Sequence, residues 1–341
     1  MHLAALRERF LIGCLVWIVA VLPARSDEGP VPAWLREPAE PAWSRPAAPA
    51  FSTDGQASLW RGQSEIWGVR DFGTLFQWSG SAVPGGPRLD APLVTDRPTF
   101  TPASVTVGAG VAQVEFGYTY YYNSDGEEST RLQSFGEPLL RYGLFADWLE
   151  LRLQLSPLEM RDREDGDTEM TTGTDDLLIG LKLALTPQNG ILPEMALIPQ
   201  ARVPTGSPAF TQEQFRPGLI WAYSWQVNDW LSMAGSTQIN RVAQERIELA
   251  PPANPVGANS YLQVAQSWVV GYQVTDRLKA FTEWYGLFPH VAHDEFPEYY
   301  FDTGMTFLVT DNIQWDVRSG WGLNEAAVDY FVGTGLAFRF R

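Results

Sequence analysis

Leu149-Glu150-Leu151-Arg152-Leu153-Gln154-Leu155 places leucine at every odd position and a polar or charged residue at every even one. A repeat of two cannot gather its apolar residues on one side of a helix. In a strand it sends every leucine to one face and every charge to the other. The pattern recurs in Val114, Phe116, Tyr118, Tyr120 and Tyr122 against Gln113, Glu115, Thr119 and Asn123. It recurs again in Leu177, Ile179, Leu181, Leu183 and Leu185, in Leu219, Trp221, Tyr223 and Trp225, and in Tyr330, Val332, Leu336, Phe338 and Phe340. About twelve such segments can be traced, at 110–123, 131–144, 148–156, 174–185, 194–203, 216–226, 230–241, 260–274, 278–288, 299–309, 313–322 and 328–341.

The connections alternate in length. Ala146-Asp147-Trp148, Asn228-Asp229-Trp230, Thr275-Asp276-Arg277 and Thr310-Asp311-Asn312 are tight turns whose Asp, Asn or Thr side chains can bond their own backbone. Longer polar stretches at 157–173, 204–215, 242–259 and 289–298 lie between them. Even strand number with short turns at one end and long loops at the other is the plan of an outer-membrane barrel. The expected fold is therefore all-β, a transmembrane antiparallel β-barrel of about 12 strands over 104–341, with both barrel ends in the periplasm.

Two alternatives fare worse. A helical membrane bundle needs several runs of roughly 20 apolar residues, and none follows residue 25; mean hydropathy is only −0.15. A soluble β-sandwich would turn a polar face to water, whereas the second face here mixes Gly, Ala and Thr with isolated charges, which suits a narrow lumen. Trp148, Trp221, Trp225, Trp230, Tyr299 and Tyr300 fall near predicted strand ends, where membrane-girdle aromatics belong.

Ahead of the barrel lie three further regions. Arg7 and Arg9, the apolar stretch Leu11–Leu22 and Ala24-Arg25-Ser26 read as a signal peptide over 1–26. Leu11-Ile12-Gly13-Cys14 resembles a lipobox, but Leu15–Leu22 continue the apolar run that a lipobox should end. Cleavage after the signal would remove the only cysteine, leaving no thiol chemistry. Residues 27–57, with Pro30, Pro32, Pro38, Pro41, Pro46 and Pro49, read as an extended periplasmic linker. Residues 58–103 hold too many large apolar groups for a free tether, among them Trp60, Trp67, Phe76 and Trp78, and too many Gly and Pro for a long helix. They are expected to be a partly ordered element at the barrel mouth or a plug in its lumen.

Several chemistries can be weighed. A net charge of −16 excludes nucleic acid, which needs a basic stripe. His290 and His293 have metal-ligand residue types, but they sit between Pro289 and Pro297 with no third ligand, so no metal site is expected. The acidic run Arg161–Asp167 lacks the calcium-loop pattern. No Gly-x-Ser-x-Gly elbow occurs and no Ser or Asp pairs with either His, so neither catalysis nor a cofactor is expected. What remains is a set of charges on the inward phase of the strands: Glu115, Arg141, Glu150, Arg152, Asp176, Lys182, Glu194, Arg202, Glu283, Asp302, Asp316, Arg318 and Arg339. They can pair across strands and close the lumen, or line a polar path; both remain open.

Leu93-Val94-Thr95-Asp96-Arg97-Pro98-Thr99-Phe100-Thr101-Pro102, ahead of Gln113-Val114-Glu115-Phe116-Gly117-Tyr118, resembles the bacterial outer-membrane family of transporters assigned to the meta-pathway of phenol degradation. Leu140-Arg141-Tyr142-Gly143, Pro199–Gly206 and Tyr330–Leu336 add to the resemblance, which covers roughly 93–341. It implies passive passage of small, aromatic or hydrophobic solutes through the outer membrane, with outer-membrane lipid and the barrel-assembly machinery as partners. A structural or adhesive surface protein without transport is the alternative. Outer-membrane barrels usually end on an aromatic residue that the assembly machinery reads; here Phe340 is followed by Arg341.

Overall fold

The computed structural model describes residues 73–78, 85–125, 128–164, 167–243, 260–290 and 296–341. The signal-peptide and linker regions, most of 58–84 and His293 lie outside the described residues, as do the tips of several loops.

Fourteen strands follow in chain order. The first seven are β1 (Ala112–Asp125), β2 (Glu128–Gly143), β3 (Leu149–Gln154), β4 (Pro157–Glu164), β5 (Asp167–Thr174), β6 (Leu177–Thr186) and β7 (Glu194–Val203). The rest are β8 (Arg216–Gln226), β9 (Leu231–Ala243), β10 (Ser260–Gln273), β11 (Leu278–His290), β12 (Glu298–Thr310), β13 (Ile313–Gly322) and β14 (Tyr330–Phe340). All pairings are antiparallel, and β1 pairs with both β2 and β14, so the sheet closes. β3 and β4 are two halves of one stave, and β5 and β6 of the next: β4 pairs the outer part of β2 while β3 pairs its inner part. The fourteen strands thus make a closed barrel of twelve staves.

One expectation needs correction. Residues 157–173, read as a polar loop, form the β4–β5 hairpin, which continues two staves alongside the outer part of β2. Above the membrane a strand needs no lipid-facing apolar row, so its composition resembles a loop even though its backbone ladder is intact. The tight turns match their chemistry. Asn228 Oδ1 accepts from the N–H groups of Trp230 and Leu231, and Thr275 Oγ1 from those of Arg277 and Leu278.

The barrel is apolar outside and polar inside. Phe116, Leu181, Trp221, Trp268, Phe307, Trp315 and Leu336 are exposed on the outer face. Their strand neighbours Glu115, Arg141, Glu150, Lys182, Ser236, Ser267, Glu283, Asp302 and Asp316 are buried on the inner one. That inversion of a soluble protein's pattern is what a lipid solvent demands: closed strands satisfy the backbone, and side chains outside meet hydrocarbon. Trp148, Trp221, Trp225, Trp230 and Tyr299 are at least partly exposed. Tyr300 departs from the girdle expectation. Adjacent strand residues point to opposite faces, and Tyr300, only 5% exposed, faces inward with Tyr285, Phe331 and Ala327.

Candidate functional site: the filled barrel interior

The interior is occupied by the chain itself. Residues 93–107, the stretch just before β1, make contacts with the inner faces of strands all round the barrel. They enter beside the short-turn end, where the Leu93 N–H donates to Asp311 O and Arg339 donates to Ala91 O. They leave at the same end: Thr106 Oγ donates to Asp147 O and the Ala109 N–H to Asp147 Oδ1. Gly108 and Gly110, with φ of +92° and +74°, allow the chain to turn there into β1.

Asp96 is the anchor of this segment. Its carboxylate accepts from Lys182 Nζ at 2.7 Å, from Arg152, and from the backbone N–H of Ala103 at 3.0 Å, with Arg141 Nη1 at 3.4 Å. Burial alone would raise its pKa, but the three cations Arg141, Arg152 and Lys182 outweigh it and hold Asp96 well below the ordinary carboxylate range. Arg141 in turn bridges Glu150 at 2.7 Å and Glu115 at 3.1 Å, and donates to the backbone carbonyls of Val94 and Val105. Glu115 accepts from the Asp96 and Arg97 N–H groups at 3.0 Å, and Glu150 from that of Val107 at 2.9 Å. Wall charges from β1, β2, β3 and β6 therefore pair with one another or with Asp96, and hold the segment's backbone at Val94, Asp96, Arg97, Val105 and Val107.

Arg97 lies in a groove made by absent side chains. A Cβ on Gly117 or Gly335 would overlap its guanidinium. It pairs with Glu137 and with Asp316 at 3.4 Å and donates to Thr334 O. Glu137 reaches it from a bulge in β2 at Gly136-Glu137-Pro138, where both Gly136 and Glu137 have positive φ. Across the barrel Glu283 accepts from the Phe100 and Thr101 N–H groups at 2.7 and 2.8 Å, and from Thr101 Oγ. Thr101 Oγ also lies 2.6 Å from Ser267 Oγ. Arg318 donates to Pro98 O at 2.9 Å and Gln314 to Thr95 Oγ at 2.7 Å.

Of the thirteen predicted inward charges, Glu115, Arg141, Glu150, Arg152, Lys182 and Glu283 converge on residues 94–107 through direct contacts. Asp316, Arg318, Glu194 and Arg339 each hold one further point: Arg97, Pro98 O, Ser104 Oγ and Ala91 O respectively. Asp176 and Arg202 stand apart, tying Gly206, Arg216 and Asp175 around the 204–215 loop. Asp302 is buried beside Glu283 but bonds to nothing in the segment. His290 is exposed at the end of β11, and the described residues contain no group of three metal-binding side chains. Asp96, Arg97, Glu137 and Thr101 do not stand out by alternation because none lies in a regular strand phase.

On the short-turn side of the segment is a cavity of about 810 Å³, lined among others by Arg88, Glu194, Ser224, Lys279, Leu308 and Arg339. The filled cross-section and this half-open vestibule together have the form of a conduit closed partway along.

A family profile described as "Putative MetA-pathway of phenol degradation" matches residues 95–340. The chain belongs to this family. Members' shared stretch thus begins inside the inserted segment and ends with the last strand. Among solved structures, the COG4313 outer membrane channel from Pseudomonas putida F1 is similar in fold, with a TM-score of 0.50 at 14% identity over 71% of this chain and 99% of that one. The translocator domain of the autotransporter NalP from Neisseria meningitidis gives a TM-score of 0.44 at 11% identity, covering 68% and 89%. The NanC porin gives 0.41 at 10%, covering 67% and 98%. No curated protein sequence matches the chain. The protein is an outer-membrane β-barrel.

Proposed function

We propose that this barrel is a channel for downhill passage of small hydrophobic or aromatic molecules, and that residues 93–107 are its plug. One observation carries the reading. The element filling the lumen is not part of the wall, and it is held mainly by hydrogen bonds and ion pairs, each of which water or a solute can replace. A permanently sealed barrel would be expected to fill its interior with wall side chains, as eight-stranded barrels do. Membership of a family tied by its description to phenol degradation supports an aromatic cargo. The Pro-rich stretch ahead of the plug is assigned to the periplasm, on the side where the plug enters. The wall charges then have a double role, clamping the plug when it is docked and lining the path when it is not.

Reconstitution into liposomes tests this. Phenol and toluene should cross faster than through protein-free vesicles, whereas disaccharides should not. Failure of every solute to cross, in both the wild type and a variant lacking residues 27–103, would sink the channel reading.

A further inference from the structure

At the long-loop end of the barrel, arginines are sorted to one face of the wall. Tyr118, Tyr120 and Tyr122 continue the outward row of Phe116 on β1, and Tyr330 stands across from Tyr122 on β14. Arg131 on β2 is directly opposite Tyr122, and Arg161 on β4 is directly opposite Arg131. Arg163 lies two residues further along β4, so all three arginines share the outward face of the tyrosines. Alternation sends Asp162 to the other face, where it stands across from Glu169 of β5. The run Arg161-Asp162-Arg163, part of an acidic loop by composition, is therefore a basic outer face and an acidic inner one on a single strand.

Like charges directly opposite on one sheet face repel, and Arg131 and Arg161 meet in that way with little to offset it. Arg161 Nη2 pairs with Glu159 at 2.7 Å, and Glu159 also accepts from Gln133 Nε2 at 3.1 Å. Arg131 has the Tyr122 ring, 6.0 Å from its guanidinium carbon, and no carboxylate. Among the described residues Arg163 has no ion pair, and Glu159 is the one carboxylate on this face of β1, β2, β4 and β5. Just below the arginines the wall is apolar. Phe135, 40% exposed, packs against Tyr118 with ring centroids 5.5 Å apart, and Tyr122 against Tyr330 at 5.3 Å. Hydrocarbon-facing wall, then aromatic girdle, then unpaired cations is the complement of an anionic lipid laid along it.

We propose that this outward face of β1, β2 and β4 is a binding site for a phosphorylated lipid of the outer leaflet. Arg131, Arg161 and Arg163 hold its phosphate, which relieves their mutual repulsion, while its acyl chains lie against Phe135 and Tyr118. Guanidinium groups suit that task, since each offers parallel N–H donors in the geometry of a phosphate. The position selects the occupant: the patch is continuous with the lipid-facing wall, and it stands at the end opposite the short turns, which faces outward in barrels of this class. The site lies outside the wall and does not depend on the channel reading, since neither plug nor lumen takes part.

Native mass spectrometry of the full chain in detergent tests the site, with bisphosphorylated lipid A and the same lipid stripped of its phosphates as probes. The phosphorylated form should bind the wild type more tightly. Arg131→Gln and Arg163→Gln should each weaken it about fivefold, the scale of one basic side chain beside an anionic headgroup. Arg277→Gln removes the same charge from an exposed position at the short-turn end and should change nothing. Heat-modifiable migration on gels checks that each variant has folded, and the comparison of the two lipids on the wild type needs no variant at all. Equal binding of the two lipids would overturn the site. So would an equal loss in Arg277→Gln, or displacement of the lipid by inorganic phosphate, which would mark a site for the free ion.

Discussion

At the scale of single residues, the docked plug depends on Asp96 more than on any other side chain. One carboxylate meets Lys182, Arg152 and Arg141 in a place with almost no water. Removing one partner of a buried ion cluster leaves the others uncompensated, at a cost of roughly 3–5 kcal/mol. Asp96→Asn should therefore release the plug, seen as raised conductance in planar bilayers and as new protease cleavage within 93–107. The pH dependence follows from the depressed Asp96 pKa. A group lowered in the folded state contributes fully above its unfolded value and loses that contribution only as pH falls through the folded one. Acidification from pH 7 to about 5 should thus leave the Asp96 clamp intact; conductance climbing over that window would contradict it. Gly117→Ala is the converse case, a small addition with a large effect. The new Cβ must displace the Arg97 guanidinium from Glu137 and Asp316, so ion conductance should rise while the barrel still assembles.

At the scale of elements, the strands were the most legible part of the sequence, because lipid enforces alternation wherever the wall crosses it. Leu149–Leu155 announces both the strand and the faces of Glu150 and Arg152. Legibility fades where that constraint lapses. The β5 arm of the β4–β5 hairpin is exposed over most of its length, and the hairpin reads as loop. Tyr299-Tyr300 reads as a pair of girdle aromatics, though the pleat sends only Tyr299 outward. Residues 93–107 have no periodicity at all, since each residue there answers to a different wall strand. Their signal is the family resemblance, not a pattern of burial. The docking of this element can be tested by tying it down. Thr101 Oγ and Ser267 Oγ are 2.6 Å apart, close enough for a cysteine pair replacing them to form a disulfide. In Thr101→Cys/Ser267→Cys, oxidation should abolish solute flux and a reductant should restore it; flux indifferent to redox state would mean that this part of the plug need not move.

At the scale of the whole molecule, the plug runs in beside Asp311 and Arg339, reaches Glu283 and Tyr285, and runs out beside Asp147. Both of its ends therefore lie at one mouth. It is a bight, like a loop of rope pushed into a pipe, and not a threaded end. Pulling it clear requires no terminus to pass through the barrel and no strand of the seam between β1 and β14 to part. Length or cargo added upstream of residue 85 should then leave the kinetics of opening almost untouched, whereas a threaded end would slow with every residue. A folded protein inserted just after the signal peptide, ahead of residue 27, would be no obstacle to a loop that only has to slip back the way it came.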